Sequence, residues 1–445
     1  FGQAMTWAEE EFGGADLGDK RLNKRLVLLA ERLGEQPSAS IPEACRGAAE
    51  MHAAYRFLGR EAVDWRELMQ PHWDASARRM QSHPVVLCIQ DTTELDFEGK
   101  SAQGLGPLSY EAQRGMYVHP TYAVTPAREP LGVIDAWMWA RAFKQGEAPR
   151  EGIAESLRWL EGYARVAEQA QTLPETRLVY VADREADIVA LMRRARELGT
   201  PADWLIRSQH DRSLGKGAPK LSAALAAAPV LGEVQFQMAS RQGQAARTVR
   251  QEIRVLRQAL PDGEGGSVAV SVVLASEVDA PSGVKPVQWR LLSNREVATL
   301  DEAVTLIDWY RARWEVELLF HTLKNGCRVE ALQLDAYPKL ERAIALYLVV
   351  AWRIGHLMRV GRTHPELDAS IAFEPDEIRV AYALHGKRPP PKPKVNQVLR
   401  LIAMLGGFIG RKGDGEPGVK SIWLGLQKIR TVIQALPFIQ AGNAG

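Results

Sequence analysis

Four polar side chains that could act on a phosphate stand in the segment WYRARWEVELLFHTLKNG, residues 309–326. At about 100° per residue, a helix places Arg313, Glu317 and Lys324 within roughly 60° of Tyr310. Arg grips a phosphate as a fork, Lys attracts it as a point charge, and a Tyr hydroxyl can contact it. A carboxylate among them suits metal-assisted phosphate chemistry. An ordinary Glu–Arg pair on a surface stripe is the simpler interpretation.

Two further carboxylates stand where buried strands are predicted to end. The apolar run 85–89 leads to Asp91, and the run 178–182 leads to Asp183. If Glu317 joined them, three carboxylates would repel each other unless a divalent cation neutralised them, and oxygen ligands suit Mg²⁺ or Mn²⁺ better than zinc. Two such ions about 4 Å apart can assist an in-line phosphoryl displacement. Strands that end in Asp are common in α/β proteins, so spacing alone leaves the question open.

The elements that must position these groups can be predicted along the chain. About 75 residues at the start are predicted to be helical, and two strands between the aspartates, MYVHPTYAVTP and PLGVIDAWMWARAF, form a hairpin. Alternation between about 229 and 295 predicts antiparallel strands. LDEAVTLIDWYRARWEVELLFHTLKNG predicts one long helix. After the exposed linker HGKRPPPKPKV, two amphipathic helices flank a Gly-rich loop.

A basic helix face is predicted near the start of the chain. In WAEEEFGGADLGDKRLNKRLVLLAERLG, the residues on that face are Lys20, Arg21, Lys24 and Arg25. The leucines available for packing are Leu22, Leu26, Leu29 and Leu33. This pattern alone does not separate a binding surface from a solvated helix face.

Bulk composition is that of a globular protein with two or three domains. The chain has 445 residues, of which 46% are hydrophobic and 25% charged, and its net charge of +2 is too small to indicate nucleic acid by itself. Its three cysteines are far apart without CxxC spacing, which argues against a disulfide framework or zinc site and fits a reducing cytosol. We expect no membrane-spanning segment and no signal peptide.

The pattern Y-(2)-R-(3)-E-(6)-K in YRARWEVELLFHTLK resembles the signature of bacterial cut-and-paste transposases of the insertion-sequence-four family. The resemblance is greatest to the Tn5-type group and extends over nearly the whole chain. The segments that carry it are WAEEEF, ADLGDKRLNKRL, AYRFL, IQDTTEL, RGMYVH, DREADI, RSQHDR, KPVQWRLLSN and LGGF. Agreement in order over so many segments argues against chance.

This resemblance implies an α/β fold and a division into domains. A ribonuclease H-like catalytic domain would carry an inserted antiparallel β segment and be flanked by N- and C-terminal helical domains. The implied ranges are 1–75 for DNA binding, 76–365 for catalysis with the insertion at about 229–295, and 366–445 for dimerisation.

The resemblance also implies the reaction and its cofactor. The catalytic residues Asp91, Asp183 and Glu317 would bind two Mg²⁺ ions per active site, and Mn²⁺ would also support activity. Water would cut at the transposon end and free a 3′-hydroxyl, which attacks the opposite strand and closes a DNA hairpin. A second water would open the hairpin, and the 3′-hydroxyl would attack target DNA. No covalent protein–DNA intermediate is required.

Further residues are assigned to DNA by the same resemblance. Trp289 would stack on a base extruded at the transposon end, although a strand Trp more often anchors a core. Arg207 and Arg212 fall where the family has basic residues near the hairpin, and Gln209 departs from that basic pattern. The other predicted DNA-binding residues are Tyr310, Arg313 and Lys324 at the cleaved end and Lys20, Arg21, Lys24 and Arg25 for the end sequence.

The sequence therefore predicts a transposase that works as a homodimer on double-stranded transposon-end DNA and target DNA. It is expected in the bacterial cytoplasm, on the nucleoid when bound, with no membrane partner. The resemblance implies that each subunit of the synaptic complex holds one end and can cut the other in trans. Two alternatives stay open: a ribonuclease H-like nuclease or resolvase that cuts without joining, and a DNA-binding descendant without catalysis. The second would usually have lost a carboxylate, and all three are present here.

Overall fold

The computed structural model describes residues 5–97, 102–150, 152, 154–238, 240 and 243–442. The chain divides into two compact units. The first unit contains Phe1–Met80, Thr92–Gly152 and Glu315–Gly445, and the second contains Gln81–Asp91 and Ile153–Trp314. In sequence, the second unit is therefore inserted into the first at two places.

Helices and strands both contribute, so the chain is a mixed α/β protein, as expected. The helices are α1 (Trp7–Phe12), α2 (Lys20–Glu35), α3 (Ile41–Ala44), α4 (Ala48–Leu58), α5 (Trp65–Met80), α6 (Leu157–Thr172), α7 (Val189–Glu197), α8 (Leu221–Ala227), α9 (Leu300–Arg311), α10 (Trp314–His321), α11 (Tyr337–Thr363), α12 (Pro375–Ala383), α13 (Val395–Leu405) and α14 (Val419–Gly442). The strands are β1 (Val85–Gln90), β2 (Thr93–Asp96), β3 (Gly106–Pro107), β4 (Arg114–Val124), β5 (Pro130–Trp139), β6 (Arg177–Ala182), β7 (Asp203–Arg207), β8 (Val230–Met238), β9 (Arg247–Pro261), β10 (Ser267–Glu277) and β11 (Gln288–Ser293).

The first helices begin at residues that cap helix ends. The Thr6 hydroxyl accepts a hydrogen bond from the Glu9 N–H, and the Glu9 carboxylate accepts one from the Thr6 N–H, which starts α1. Asp19 accepts a hydrogen bond from the Arg21 N–H at 2.8 Å and starts α2. The leucines that α2 buries are Leu26, Leu29 and Leu33. The prediction of helices at the start of the chain is confirmed.

An antiparallel hairpin and a long apolar helix occupy the middle of the first unit. β4 and β5 pair antiparallel, as predicted, and β2 and β3 also pair with β4. α11 is long and apolar enough to cross a membrane, but 83% of its most apolar window is buried inside the structure. It packs against β5 and α5, so its apolar surface is used in the core of this unit.

A single sheet runs through the second unit. β1, β6 and β7 are parallel neighbours, and β11 joins β7 antiparallel. The sheet continues antiparallel from β11 through β10 and β9 to β8. These last four strands occupy the interval in which the alternating sequence predicted antiparallel strands.

α9 lies across the antiparallel part of this sheet, against β8 and β9. Gly232 permits the close approach, because a Cβ at that position would lie 2.5 Å from Leu300 Cδ2. Val249 and Ile253 of β9 are fully buried, and Tyr310 near the end of α9 is 5% exposed. The sheet therefore fixes the end of the helix that carries Tyr310.

The prediction of one long helix through residues 309–326 is wrong. α9 ends at Arg311, the Arg313 N–H donates to the Tyr310 carbonyl in a tight turn, and α10 begins at Trp314. The helix breaks because α9 packs within the second unit and α10, from Glu315 on, packs within the first. A constant 100° per residue therefore does not relate Tyr310 to Glu317.

The last helices of the first unit are joined by a buried ion cluster. The carboxylate of Glu377, fully buried, lies 2.8 Å from Arg430 and 3.7 Å from Arg353, which connects α12 with α14 and α11. Residues 387–392 between α12 and α13 are exposed, as predicted for the proline-rich linker, but Pro393 and Val395 at its predicted end are buried. α13 and α14 are the two predicted helices on either side of the Gly-rich loop.

Candidate active site

Two aspartates follow neighbouring parallel strands of the second unit. The register of β1 and β6 pairs Gln90 with Ala182, and the next residue of each strand is Asp91 or Asp183. Parallel strands end at the same edge of a sheet, so both carboxylates stand at that edge. The prediction that two neighbouring buried strands each lead to an Asp is confirmed.

Each of these aspartates already has a partner within the unit. Asp91 Oδ2 accepts a hydrogen bond from Arg313 Nη1 at 2.6 Å, and the two side chains are 17% and 15% exposed. The Asp183 carboxylate accepts a hydrogen bond from the Arg184 N–H, which starts a short 3₁₀ turn. Arg313 therefore places a positive charge beside the Asp91 carboxylate at this edge of the sheet.

Tyr310 lies among charged groups of the same unit. The Arg313 guanidinium is 6.0 Å from the centre of its ring, and Arg207 donates a hydrogen bond to the phenol oxygen. Burial raises the pKa of Tyr310, and the nearby charges of Arg313 and Arg207 offset this only in part. The phenol is therefore protonated at neutral pH and can donate a hydrogen bond to a phosphate oxygen.

Trp289 on β11 lies beside this group of residues. Its ring centre is 6.3 Å from that of Tyr310, with the two planes tilted by 59°. The side chain is half-buried, so part of the indole remains accessible. The structure therefore brings together Asp91, Asp183, Arg207, Trp289, Tyr310 and Arg313 within the second unit.

Arg212 has a different setting from Arg207. Its guanidinium forms an ion pair with Asp187, whose side chain is fully buried. The same carboxylate accepts hydrogen bonds from the Gln209 and His210 N–H groups at 2.7 and 3.0 Å. Arg212 therefore completes a buried polar cluster that holds the loop after β7, and no sequence pattern predicted this cluster. Its role in DNA binding stays a prediction.

Two glutamates of α10, in the first unit, differ in their surroundings. Glu315 is 6% exposed and pairs with Arg359 of α11. Burial raises the pKa of Glu315, although the charge and hydrogen bond of Arg359 act in the other direction. Glu317 is only half-buried. Of these two carboxylates, Glu317 is the one that a ligand outside the core can reach.

Lys324 lies in a one-turn π helix, Thr322–Gly326, that follows α10. The side chain of Lys324 is half-buried. Gly326 ends the turn where Trp423 of α14 packs against it, since a Cβ there would lie 2.7 Å from the Trp423 ring. Single-turn π-helical segments within helices are often found at functional sites.

The basic face of α2, comprising Lys20, Arg21, Lys24 and Arg25, lies at the first turns of that helix. The first three side chains are exposed and Arg25 is half-buried. The structure thus places these four charges at the surface, on the helix that the sequence predicted.

The fit to a divalent metal ion rests on the chemistry of the donors. Asp91, Asp183 and Glu317 offer only carboxylate oxygens, which are the ligands of Mg²⁺ and Mn²⁺. Among the described residues, no group of three or more His, Cys, Asp and Glu side chains is arranged closely enough to hold a metal ion. The three carboxylates therefore fit Mg²⁺ or Mn²⁺ by ligand type.

Phe236 is a neighbour of Trp289 that no sequence pattern identified, and Arg311 is a neighbour of Phe236. The Phe236 ring stacks on Trp289, and Arg311 lies over Phe236. The alternation of half-buried and exposed residues along β8 marks Phe236 as inward-facing, but only the tertiary fold shows which ring it meets.

Three family models match successive parts of the chain. Residues 4–63 match the transposase DNA-binding family, residues 161–353 the transposase DDE domain, and residues 349–442 the transposase Tn5 dimerisation domain. These domains define an enzyme of the DDE transposase class, which uses divalent metal ions, binds DNA and forms dimers. The chain belongs to the Tn5-type DNA transposases.

One solved structure with some similarity is the cryo-EM structure of a piggyBac transposase synaptic complex with hairpin DNA. The sequences are 10% identical and the TM-score is 0.39. The alignment covers 77% of this chain and 66% of that chain, slightly less than two thirds of its length.

Proposed function

We propose that this transposase cuts its element out of DNA through a hairpin intermediate and joins the freed 3′-hydroxyl ends to target DNA. The observation that carries the proposal is the pair of aspartates at neighbouring parallel strand ends, with Arg313 and Tyr310 beside them. Carboxylates for a metal ion and cations for phosphates are the two requirements of phosphodiester displacement.

The metal ligands in this proposal are Asp91, Asp183 and Glu317. They would hold two Mg²⁺ ions, with Mn²⁺ as a substitute, and such ions stabilise the charge that develops on the attacking and leaving oxygens. Glu317 is preferred to Glu315 because Glu315 is buried in the core, whereas Glu317 is only half-buried.

The DNA contacts divide by chemistry. Arg313 and Lys324 would neutralise the phosphates that flank the scissile bond, and the protonated phenol of Tyr310 would donate a hydrogen bond to one of them. Arg207 would contact the strand near the hairpin. Trp289 would stack on the base extruded there, since an extruded base needs another π surface to replace its neighbours.

The arrangement of domains follows the same proposal. The catalytic domain, residues 76–365, would have a ribonuclease H-like core with the antiparallel segment at about 229–295 inserted into it. Residues 1–75 would bind the transposon end through the basic face of α2, and residues 366–445 would form the dimer of the synaptic complex. The protein would act in the bacterial cytoplasm, on the nucleoid.

A reaction with DNA from the element's own flanking repeats tests this function. With Mg²⁺, the wild-type protein should give nicks, hairpins and joined products on a denaturing gel, and Glu317→Ala should give none while still shifting end DNA in a binding gel. Glu315→Gln is the matched control, because it removes a carboxylate of the same helix and can still hydrogen-bond Arg359. It should keep cleavage measurable.

Double-strand breaks made by Glu317→Ala would show that the metal ligands are wrongly assigned. Cleavage by the wild-type protein without joined products would indicate the nuclease or resolvase alternative. Binding without any cleavage would indicate a DNA-binding descendant.

A further inference from the structure

An aromatic and cationic stack joins the β segment of the second unit to the end of α9. The rings of Phe236 and Trp289 are 5.6 Å apart with planes inclined by 15°, so they are stacked. The Arg311 guanidinium lies over the Phe236 ring at 4.6 Å. Stacked aromatic pairs and cations over aromatic rings are both attractive arrangements.

The sheet order makes this contact unusual. Phe236 is on β8 and Trp289 on β11, so β9 and β10 lie between their strands. Rings on strands this far apart meet only if the four strands curl about one face. α9 packs on β8 and β9, and it ends at Arg311. The stack therefore depends on the curl of the sheet and on the position of α9 together.

The stack also reaches the carboxylates of the candidate site. Trp289 lies 6.3 Å from Tyr310, and Arg313 lies 6.0 Å from the Tyr310 ring and 2.6 Å from the Asp91 carboxylate. A change in the tilt of the indole would thus alter the packing of Tyr310 and Arg313 next to Asp91. Phe236 covers part of the indole and limits its rotation, while the rest stays accessible because Trp289 is only half-buried.

We propose that Phe236, with Arg311 over its ring, is a positioning residue that holds Trp289 in the orientation needed to receive the extruded base. The inference rests on the proposed stacking role of Trp289. The physical reason is preorganisation: an indole already fixed in plane loses little rotational freedom when a base stacks on it. Phe236 itself does not touch the reacting phosphate, so it acts through Trp289.

Base extrusion and hairpin formation measure this role directly. The full-length protein would be mixed with transposon-end DNA carrying 2-aminopurine in turn at each terminal nucleotide, whose fluorescence rises when the base leaves the stack. Phe236→Ala should slow hairpin formation about 3- to 10-fold and reduce the fluorescence change, with first-strand nicking within about twofold of wild type. Arg311→Met should slow hairpin formation about two- to fivefold.

The controls separate positioning from folding. Val234→Ala lies on the same strand and the same face, two residues before Phe236, and should leave hairpin formation unchanged. Phe236→Tyr keeps an aromatic ring at this position and should form hairpins at about the wild-type rate. Trp289→Ala serves as the reference and should slow hairpin formation more than nicking.

Three outcomes overturn the inference. If Trp289→Ala impairs hairpin formation and Phe236→Ala does not, Phe236 has no positioning role, although the proposed function stands. If Phe236→Ala slows nicking and hairpin formation equally, or Val234→Ala matches it, the effect is general destabilisation. If Trp289→Ala also leaves both steps unchanged, the stacking role and the inference fail together.

Discussion

The basic face of α2 and two arginines of the second unit, Arg212 and Arg313, carry the same charge in different settings. On α2, three of the four basic side chains are exposed to solvent. In the second unit, Arg212 pairs with a fully buried carboxylate and Arg313 with the half-buried Asp91. Residues of one type therefore have different tasks in the two regions.

The difference follows from the surroundings of each charge. Exposed cations attract DNA over a Debye length of about 8–10 Å and release its counterions, which gives affinity that depends on salt. A cation that already holds a buried carboxylate contributes to folding, and one at a reacting phosphate contributes to rate. Alanine substitutions in the two regions should therefore change different measured quantities.

Arg212→Ala should cause the largest loss, and the loss should be in stability. Removing the partner of the fully buried Asp187 carboxylate leaves an uncompensated charge, which typically costs about 3–5 kcal/mol. Urea unfolding followed by circular dichroism would measure the change in the free energy of unfolding. Arg207→Ala, at the end of β7, is the matched control and should cost less.

Arg212 would be the DNA contact that the sequence predicted if Arg212→Ala unfolds at the wild-type urea concentration and loses affinity for hairpin DNA. The buried cluster would then be unimportant for folding, and Arg212 would bind DNA as the exposed cations of α2 are proposed to do.

Arg313→Ala should have the next largest effect, and this effect should be on rate. A hydrogen bond to a charged group is worth about 1.5–3 kcal/mol, so nicking in a single turnover should slow about 10- to 100-fold. Binding of end DNA should stay within about twofold, because the exposed cations that give affinity are elsewhere. Arg313→Lys should recover little, since an ammonium lacks the planar fork of a guanidinium. An equal loss of binding and nicking would place Arg313 with the affinity residues.

The strand ends and the helix break show what local sequence can predict. The short apolar runs before Asp91 and Asp183 can be recognised as strands, because a buried strand must be apolar on both faces. The helix break between Tyr310 and Glu317 contains no Gly or Pro from which it could be predicted, and most of its residues favour helices. It arises because the chain leaves one compact unit for the other there, and a local pattern does not contain that information.

Contacts between residues that are far apart in the sequence were equally impossible to predict from local patterns. Asp187 and Arg212 are 25 positions apart, and Phe236 and Trp289 meet across two intervening strands. Residue types at fixed spacing identified which side chains could bind phosphate. They could not show which of those side chains would pair with a carboxylate in the folded protein, because such pairs depend on tertiary packing.

Lys24→Ala should have the smallest effect and should appear only in affinity. An exposed cation that contacts one phosphate releases about one counterion, so the slope of log affinity against log salt should fall by about 0.9. At moderate salt the affinity for end DNA should drop about two- to fivefold, while stability and the nicking rate of bound DNA stay unchanged. Lys285→Ala removes an exposed lysine outside the basic face and should leave the slope as it is. If both variants lower the slope equally, the surface attracts DNA through its overall charge, and the basic face of α2 has no special share in binding the transposon end.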